Sequence, residues 1–116
     1  MTFNWTKLGV VFNPQDHDTP NWMFEFAQAP CVLQFEDFIR VYFSCRPKPD
    51  NNGQYVSYSG YVDLDRNDLF KIIAIGDNPI LKLGQLGMFD EFGTYPVSVI
   101  QQGDKLLAYY AGWTRA

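Results

Sequence analysis

Hydrophobic and polar residues alternate along several segments of this chain, which is the pattern of β-strands that bury one face. The clearest segment covers residues 38–46, where apolar side chains occupy every second position. Residues 54–64 alternate similarly, and the sequence Asp-Asn-Asn-Gly at 50–53 between the two runs is a strong turn signal. Further strands are predicted at 30–35, 70–75, 94–101 and 105–112. Because no segment keeps helical spacing for more than about two turns, the sequence predicts an all-β fold.

An internal repeat groups these strands into larger units. The segment that runs from Ala29-Pro30 to Tyr42-Phe43 aligns with the segment that runs from Tyr95-Pro96 to Tyr109-Tyr110. Two more predicted strands lie between the copies, so the repeating unit is four antiparallel strands, as in a β-propeller blade. The sequence therefore predicts one all-β domain, with an N-terminal strand and loop at 1–28, a first blade at 29–78 and a partial second blade at 79–116. The alternative is a small β-sandwich or barrel made of ordinary hairpins.

Composition and charge narrow the classes of partner. The formal net charge is −4 and the basic residues do not cluster, which argues against nucleic acid as a partner. No segment approaches the roughly 20 apolar residues of a membrane span, and the N-terminus lacks the pattern of a signal peptide, so we expect a cytoplasmic protein. Cys31 and Cys45 would lie about 10 Å apart in the predicted hairpin, too far for a disulfide. The sequence predicts no cofactor and no metal site.

Several short motifs occur in a characteristic order. They are WTKLGVVF at 5–12, AQAP at 27–30, IRVYFSCR at 39–46, GYVDLD at 60–65, PIL at 79–81, LG at 86–87, FDEFG at 89–93, YP at 95–96 and YYAGWTR at 109–115. Their order and spacing resemble the N-terminal part of five-bladed glycosidase-like propellers. These proteins are related to the arabinanases and xylosidases, the invertases and levansucrases, and the mannan phosphorylases. The resemblance extends over essentially the whole chain, but over only part of a complete propeller.

The resemblance implies where catalytic carboxylates would lie. In those enzymes they occupy the rim of the axial funnel, where one activates water or attacks the sugar and another protonates the leaving oxygen. The first-blade base usually precedes a proline at the start of the inner strand, and here that position is Ala29, before Pro30. The general acid usually comes from a later blade. We therefore predict no catalytic residue in the chain alone.

Polar and aromatic residues at the predicted funnel end could still hold a sugar-like ligand. The candidate ligand-binding residues are Gln28, Arg46, Asp90, Glu91, Tyr95, Trp113 and Arg115. The two carboxylates precede the second inner strand, where they would either bond sugar hydroxyls or belong to a solvated turn. Each arginine suits a carboxylate or phosphate, or pairs with an acidic neighbour. The indole of Trp113, like that of Trp22, would either stack on a sugar or pack between blades.

Two acidic motifs have a simpler interpretation than metal binding. Asp16-His17-Asp18 lies in a Pro-rich loop, and three adjacent residues cannot all aim at one ion. Asp63 and Asp65 flank a turn, but the remaining ligands of a calcium loop are absent. We interpret both motifs as structural loops.

The partial second blade predicts an open sheet edge, which folded proteins rarely leave uncovered. We therefore expect a homo-oligomer in which strands pair between chains, with residues 7–12 as one possible donor strand. The alternatives are a fragment of a longer propeller and a reclosed small sandwich or barrel. Two functional hypotheses follow. The first is a non-catalytic binding or assembly module for a carbohydrate-like ligand. The second is a glycoside hydrolase or phosphorylase whose site is completed between subunits, which needs two carboxylates facing one cavity.

Overall fold

The structure is a computed structural model that describes residues 1–115. Its strands are β1 (Glu25–Gln34), β2 (Phe38–Arg46), β3 (Tyr58–Asp65), β4 (Ile72–Ile75), β5 (Gly93–Gln102) and β6 (Lys105–Trp113). Strands β1 to β4 form an antiparallel sheet in sequence order, and β5 and β6 form a separate antiparallel pair. Two short 3₁₀ helices, Pro14–Asp16 and Asn21–Met23, precede β1. The all-β prediction is confirmed, as a four-stranded sheet and a two-stranded one, and the sheets of residues 1–115 do not close into a barrel.

The main core lies on one face of the four-stranded sheet. Alternate side chains of β2 and β3 point to this face, because successive residues of a strand face opposite sides. The buried core residues are Phe12, Met23, Phe43, Cys45, Val62 and Leu64. Phe43 is 1% exposed, and full burial of such a side chain stabilises a fold by about 1.5–3 kcal/mol.

The opposite face of the first sheet is buried too, which corrects the prediction that β2 has a single buried face. Tyr42 and Ser44 are 6% and 1% exposed because β5 packs against this side of the sheet. The Ser44 hydroxyl donates to the Thr94 carbonyl at 3.1 Å, and the hydroxyls of Ser59 and Thr94 lie 2.8 Å apart. The hydroxyl groups on this face therefore find hydrogen-bond partners in the other sheet. The sequence pattern had predicted that this face is exposed to solvent.

The first strands of the two repeat copies, β1 and β5, lie against each other. The amide of Val99 on β5 donates to the Sγ of Cys31 on β1 at 3.2 Å. The pairing of each strand is irregular around its proline, Pro30 in β1 and Pro96 in β5. A proline has no N–H to contribute to a ladder, so the shared irregularity follows from the repeat. Cys31 and Cys45 are both free thiols.

The N-terminal region differs from its prediction. Residues 7–12 form no strand. Within this segment only Phe12 is buried, and its ring centroid lies 5.3 Å from that of Phe43. Strand β1 also begins at Glu25, inside the segment predicted as a loop, and β3 begins at Tyr58 rather than at position 54.

A cleft of about 300 Å³ lies between the two sheets. Its aromatic lining is Tyr42, Tyr61, Tyr109 and Tyr110. Arg40, at one wall of the cleft, donates two hydrogen bonds to Asp63 at 2.7 and 2.9 Å. Within residues 1–115, no helix is long and apolar enough to cross a bilayer.

Candidate functional site

One end of the two sheets brings together the ends of four strands. The amide of Ser57, just before β3, donates to the Phe92 carbonyl at 2.9 Å, and the Thr94 amide of β5 donates back to the Ser57 carbonyl at 3.0 Å. The start of β1 reaches the same end, because Glu25 pairs with Arg46 in the sheet register. A polar and aromatic group results, which we call the Arg46 cluster. It consists of Glu25, Phe26, Arg46, Tyr55, Ser57 and Tyr95.

Arg46 is the centre of the cluster. Its Nε donates to the Ser57 hydroxyl at 3.3 Å, and its Nη2 donates to the Tyr95 hydroxyl at 3.1 Å. The guanidinium carbon lies 5.6 Å from the ring centroid of Phe26 and 5.2 Å from that of Tyr55, within cation–π range. The ion pairs of residues 1–115 are those of Arg40 and Lys71, and Arg46 forms none. The cluster therefore holds a half-buried positive charge with unused donor capacity.

The Tyr95 hydroxyl accepts hydrogen bonds from Arg46 and from Ser57, the latter at 3.4 Å. Burial by itself raises the pKa of Tyr95, but the hydrogen bonds from Ser57 and Arg46 and the positive charge of Arg46 outweigh it, so the pKa is lowered. Because the oxygen accepts both bonds, its own hydrogen is available to an additional acceptor. Tyr95 thus offers a polarised donor beside the guanidinium.

Glu25 supplies an acceptor to the same cluster. Its Oε1 atom is buried and receives no hydrogen bond from residues 1–115. Burial raises the pKa of Tyr55, and a hydrogen bond to the Glu25 carboxylate together with its negative charge raises it further, whereas the positive charge of Arg46 opposes the change. A buried carboxylate oxygen without a donor is costly, of the order of 1–3 kcal/mol or more. The oxygen is therefore suited to receive a hydrogen bond from a ligand.

The backbone of β1 is distorted beside the cluster. Phe26 and Ala29 have φ values of 65° and 51°, in the left-handed region that non-glycine residues rarely adopt. The register with β2 shifts twice in this stretch, on either side of Gln28. Each such conformation costs of the order of 1–3 kcal/mol and is common at functional sites, as are β-bulges. The distortion carries the exposed Phe26 ring to the Arg46 guanidinium.

Asp90 and Glu91 lie away from the cluster and are used inside the fold. Asp90 is 7% exposed, and its Oδ2 accepts a hydrogen bond from the Tyr110 hydroxyl at 2.9 Å. That hydrogen bond, together with burial, raises the pKa of Tyr110. Glu91 Oε2 accepts from the Gly87 amide at 2.9 Å and braces the loop before β5. Both carboxylates therefore have internal partners, and neither contributes to the Arg46 cluster.

Three further predicted residues surround the cluster without joining it. Trp113 packs on Phe92 with ring centroids 5.9 Å apart, and its buried Nε1 donates to no group of residues 1–115. Arg115 donates to the Gln54 side chain at 2.8 Å and lies over the Phe92 ring. Gln28 is exposed on the distorted part of β1. Of the seven candidate ligand-binding residues, the structure places Arg46 and Tyr95 together in the Arg46 cluster.

The two acidic motifs make local contacts. Asp63 holds Arg40 across β2 and β3, and Asp65 accepts hydrogen bonds from two amides in the turn that follows β3. The ring of His17 stacks on Phe12 with centroids 5.4 Å apart. Across residues 1–115, the His, Cys, Asp and Glu side chains form no group of three or more that could hold a metal ion.

Sequence reasoning missed Glu25, Phe26, Tyr55 and Ser57. Glu25 and Phe26 lie in a stretch whose bulges erase the alternation that would have marked a strand. Tyr55 and Ser57 were assigned to strand β3, although they precede it. The sequence signal that could have identified Glu25 is its place between two phenylalanines, five positions before Pro30 of the first repeat copy.

Comparison with known proteins identifies relatives in Mycobacterium tuberculosis. "Uncharacterized protein Rv1502" of strain ATCC 25618 / H37Rv and "Uncharacterized protein MT1551" of strain CDC 1551 / Oshkosh are each 38% identical to this chain over 113 residues. The alignment covers 97% of this chain but 36% of each relative, so the chain spans about a third of the length of the curated relatives it matches. No protein-family model matches the chain, and no solved structure matches it.

Proposed function

We propose that this chain is a non-catalytic binding module of the glycosidase-like propeller type, and that the Arg46 cluster holds a neutral, polyhydroxylated, sugar-like ligand. The observation that carries the proposal is the pairing of an unbonded buried carboxylate oxygen, on Glu25, with the donors of Arg46 and Tyr95. Vicinal hydroxyls of a sugar can donate a hydrogen bond to the Glu25 carboxylate and accept hydrogen bonds from Arg46 and Tyr95. The opposite charges of Glu25 and Arg46 suit a neutral ligand better than an anion.

The aromatic residues of the cluster support the same class of ligand. The Phe26 side chain is 43% exposed, and Tyr55 lies on the guanidinium as well. Ligand sites combine apolar or aromatic walls with a few polar groups that fix orientation. The length of the relatives is consistent with a larger propeller of which this chain would form the first part.

The hydrolase or phosphorylase alternative requires a second carboxylate facing the cluster. Within residues 1–115, Glu25 is the only carboxylate of the Arg46 cluster. Ala29 occupies the position of the expected base, and Asp90 accepts a hydrogen bond from Tyr110. Catalysis would therefore depend on a group from another chain or segment. Ligand binding needs only the side chains already assembled.

The test is a titration of the ¹⁵N-labelled 116-residue chain with D-mannose, L-arabinose, D-xylose and D-fructose, followed by amide chemical shifts. These sugars represent the enzyme groups that the sequence resembles. We expect at least one of them to shift the amides of Arg46, Ser57 and Tyr95 while the amides of β4 stay unchanged. The proposal fails if none of the four sugars changes the chemical shifts of the cluster amides, up to the highest sugar concentration at which the protein stays in solution.

Two matched pairs of variants identify the binding residues. Glu25→Gln should weaken the affinity by about 10- to 100-fold, because a hydrogen bond to a charged group contributes about 1.5–3 kcal/mol. Glu36→Gln, at an exposed turn position, should leave the affinity unchanged. Arg46→Lys should also weaken binding, since an ammonium group cannot reproduce the fork of the guanidinium, whereas Arg115→Lys should not. Equal losses within either pair would contradict the assignment.

A further inference from the structure

We propose that Asn52 is a site of spontaneous deamidation, at which the folded chain acquires an isoaspartate at a rate set by Asp50. Asn52 is the one asparagine of the 116-residue sequence that is followed by glycine, and it lies in the exposed turn between β2 and β3. The reaction needs only water and the atoms of this turn. It is independent of sugar binding, because it is read from the mass and the backbone connectivity of the turn.

The reaction begins when the amide nitrogen of Gly53 attacks the side-chain carbonyl carbon of Asn52. The new C–N bond closes a succinimide ring, the attacking nitrogen gives up its proton, and the side-chain nitrogen leaves as ammonia. Water then opens the ring, with its hydroxyl on one ring carbonyl and its proton on the ring nitrogen. Addition to the main-chain carbonyl gives isoaspartate, in which the backbone continues through the side-chain carbon, and addition to the side-chain carbonyl gives aspartate.

The glycine at position 53 leaves the attacking nitrogen unobstructed. A glycine has no Cβ and adopts many backbone conformations. Gly53 has a φ of 76°, and among residues 1–115 a Cβ at this position would meet no atom within 4 Å beyond its own chain neighbours. Asn52 and Gly53 are both exposed, so water reaches the ring that they form. The turn therefore brings the reacting groups and water together without a steric barrier.

The turn that follows β3 shows why the next residue matters. In each turn an aspartate carboxylate accepts two backbone amides, Asp50 in the first and Asp65 in the second. Asn52 and Asn67 each lie two residues after that aspartate, donate their amide to it at 2.8 Å and are exposed. Asn67, however, is followed by Asp68, whose side chain crowds the attacking nitrogen and whose charge opposes its deprotonation. Asn67 is thus an internal control with the same exposure.

The same contacts show what limits the rate at Asn52. The Gly53 amide donates to the Asp50 carbonyl at 2.9 Å, so the attacking nitrogen must first leave this hydrogen bond by a local opening of the turn. The Asp50 carboxylate holds the amides of Asn52 and Gln54 at 2.8 and 2.9 Å. Its negative charge also disfavours the further negative charge that develops during the attack. Asp50 is therefore a positioning residue that keeps the turn closed.

The first test is peptide mapping of the 116-residue chain by mass spectrometry during incubation at pH 8 and 37 °C. Electron-transfer fragmentation distinguishes isoaspartate from aspartate. We expect Asn52 to convert to both acids while Asn51 and Asn67 remain amides. Asn52→Gln should stop acid formation in the turn, and Asn51→Gln should not. The proposal is overturned if Asn52 stays intact over the period in which the chain unfolded in guanidinium chloride converts completely, or if Asn67 converts as fast as Asn52.

A second pair of variants tests the role of Asp50. Asp50→Ala should speed the conversion of Asn52 in the folded chain by about 2- to 10-fold, as expected from the loss of one net hydrogen bond. Asp37→Ala removes the same charge from the exposed turn between β1 and β2 and should leave the rate unchanged. The effect of Asp50→Ala should vanish in guanidinium chloride, where the turn is absent. An unchanged rate in folded Asp50→Ala, or an acceleration that persists in the unfolded chain, would reject the restraint by Asp50.

Discussion

Replacement of Asp63 by Ala should be strongly destabilising. Arg40 on β2 and Asp63 on β3 are directly opposed in the sheet register, and they form a two-pronged ion pair with N···O distances of 2.7 and 2.9 Å. Asp63 is 6% exposed, and the guanidinium carbon of Arg40 lies 3.9 Å from the ring centroid of Tyr61. The hydrogen bonds to Asp63 raise the pKa of Arg40 above its ordinary value. The variant therefore leaves a charged guanidinium between the sheets without its partner.

The expected loss follows from the burial of the two side chains. Removal of one partner from a buried ion pair costs about 3–5 kcal/mol. The Arg40 side chain keeps 23% of its surface exposed, so water can solvate part of the remaining charge and the lower end of that range, about 3 kcal/mol, is expected. With a urea m-value of about 2 kcal/mol/M, typical of small domains, the unfolding midpoint should fall by roughly 1.5 M.

The same sheet contains a matched control. Lys71 and Asp65 form an ion pair at 3.8 Å in which the lysine side chain is 67% exposed. Such exposed pairs contribute about 0–1 kcal/mol, so Lys71→Ala should barely shift the urea midpoint. The double variant Arg40→Met/Asp63→Leu removes both charges and should recover most of the stability that Asp63→Ala loses. The reasoning is refuted if Asp63→Ala and Lys71→Ala shift the midpoint equally.

Two further predictions concern a buried thiol and a close contact. Burial raises the pKa of Cys45 to about 12, so a thiol reagent at pH 8 should label the half-buried Cys31 in the native chain and Cys45 only after denaturation. Between pH 9 and about 12 the unfolded thiol ionises while the folded one stays protonated, so stability should fall as the pH rises through this window. Equal labelling rates for the two thiols would contradict this. In Gly93→Ala the new Cβ would clash with the indole of Trp113, so the variant should have a lower thermal unfolding midpoint and a tryptophan that is exposed to water. The measurement is tryptophan fluorescence, whose emission should shift to the red. Unchanged emission would show that the contact relaxes easily.

The strand pattern was predictable where a single periodicity governs the residues. The alternation over 38–46 matches β2 in its bounds, and the turn at 50–53 forms with Gly53 at a φ of 76°. The pattern misjudged which face is buried, because serine and threonine hydroxyls can be satisfied by another sheet as well as by water. It also missed the start of β1, since two bulges break the period of two on which strand prediction depends.

Two of the six residues of the candidate site were predictable, and the other four were missed for a different reason. Arg46 and Tyr95 are strand-end residues of types that often bind ligands, so their positions could be inferred from the order of strands. Glu25 joins them because the cross-strand register sets it opposite Arg46, and register depends on bulges that the sequence does not reveal. Conversely, Asp90 and Glu91 stand just before β5 as predicted, but the orientation of their side chains into internal hydrogen bonds is a packing result.

The position of the cluster supports the proposed ligand binding over the alternative of hydrolysis. A glycosidase needs two carboxyl groups about 5–9.5 Å apart on opposite sides of one sugar bond. Here the neighbour of Glu25 in the sheet register is Arg46, a cation, and the residue before Pro30 is an alanine with no group to contribute. Such an arrangement can orient hydroxyls from both sides but cannot divide the roles of acid and base between two carboxyls.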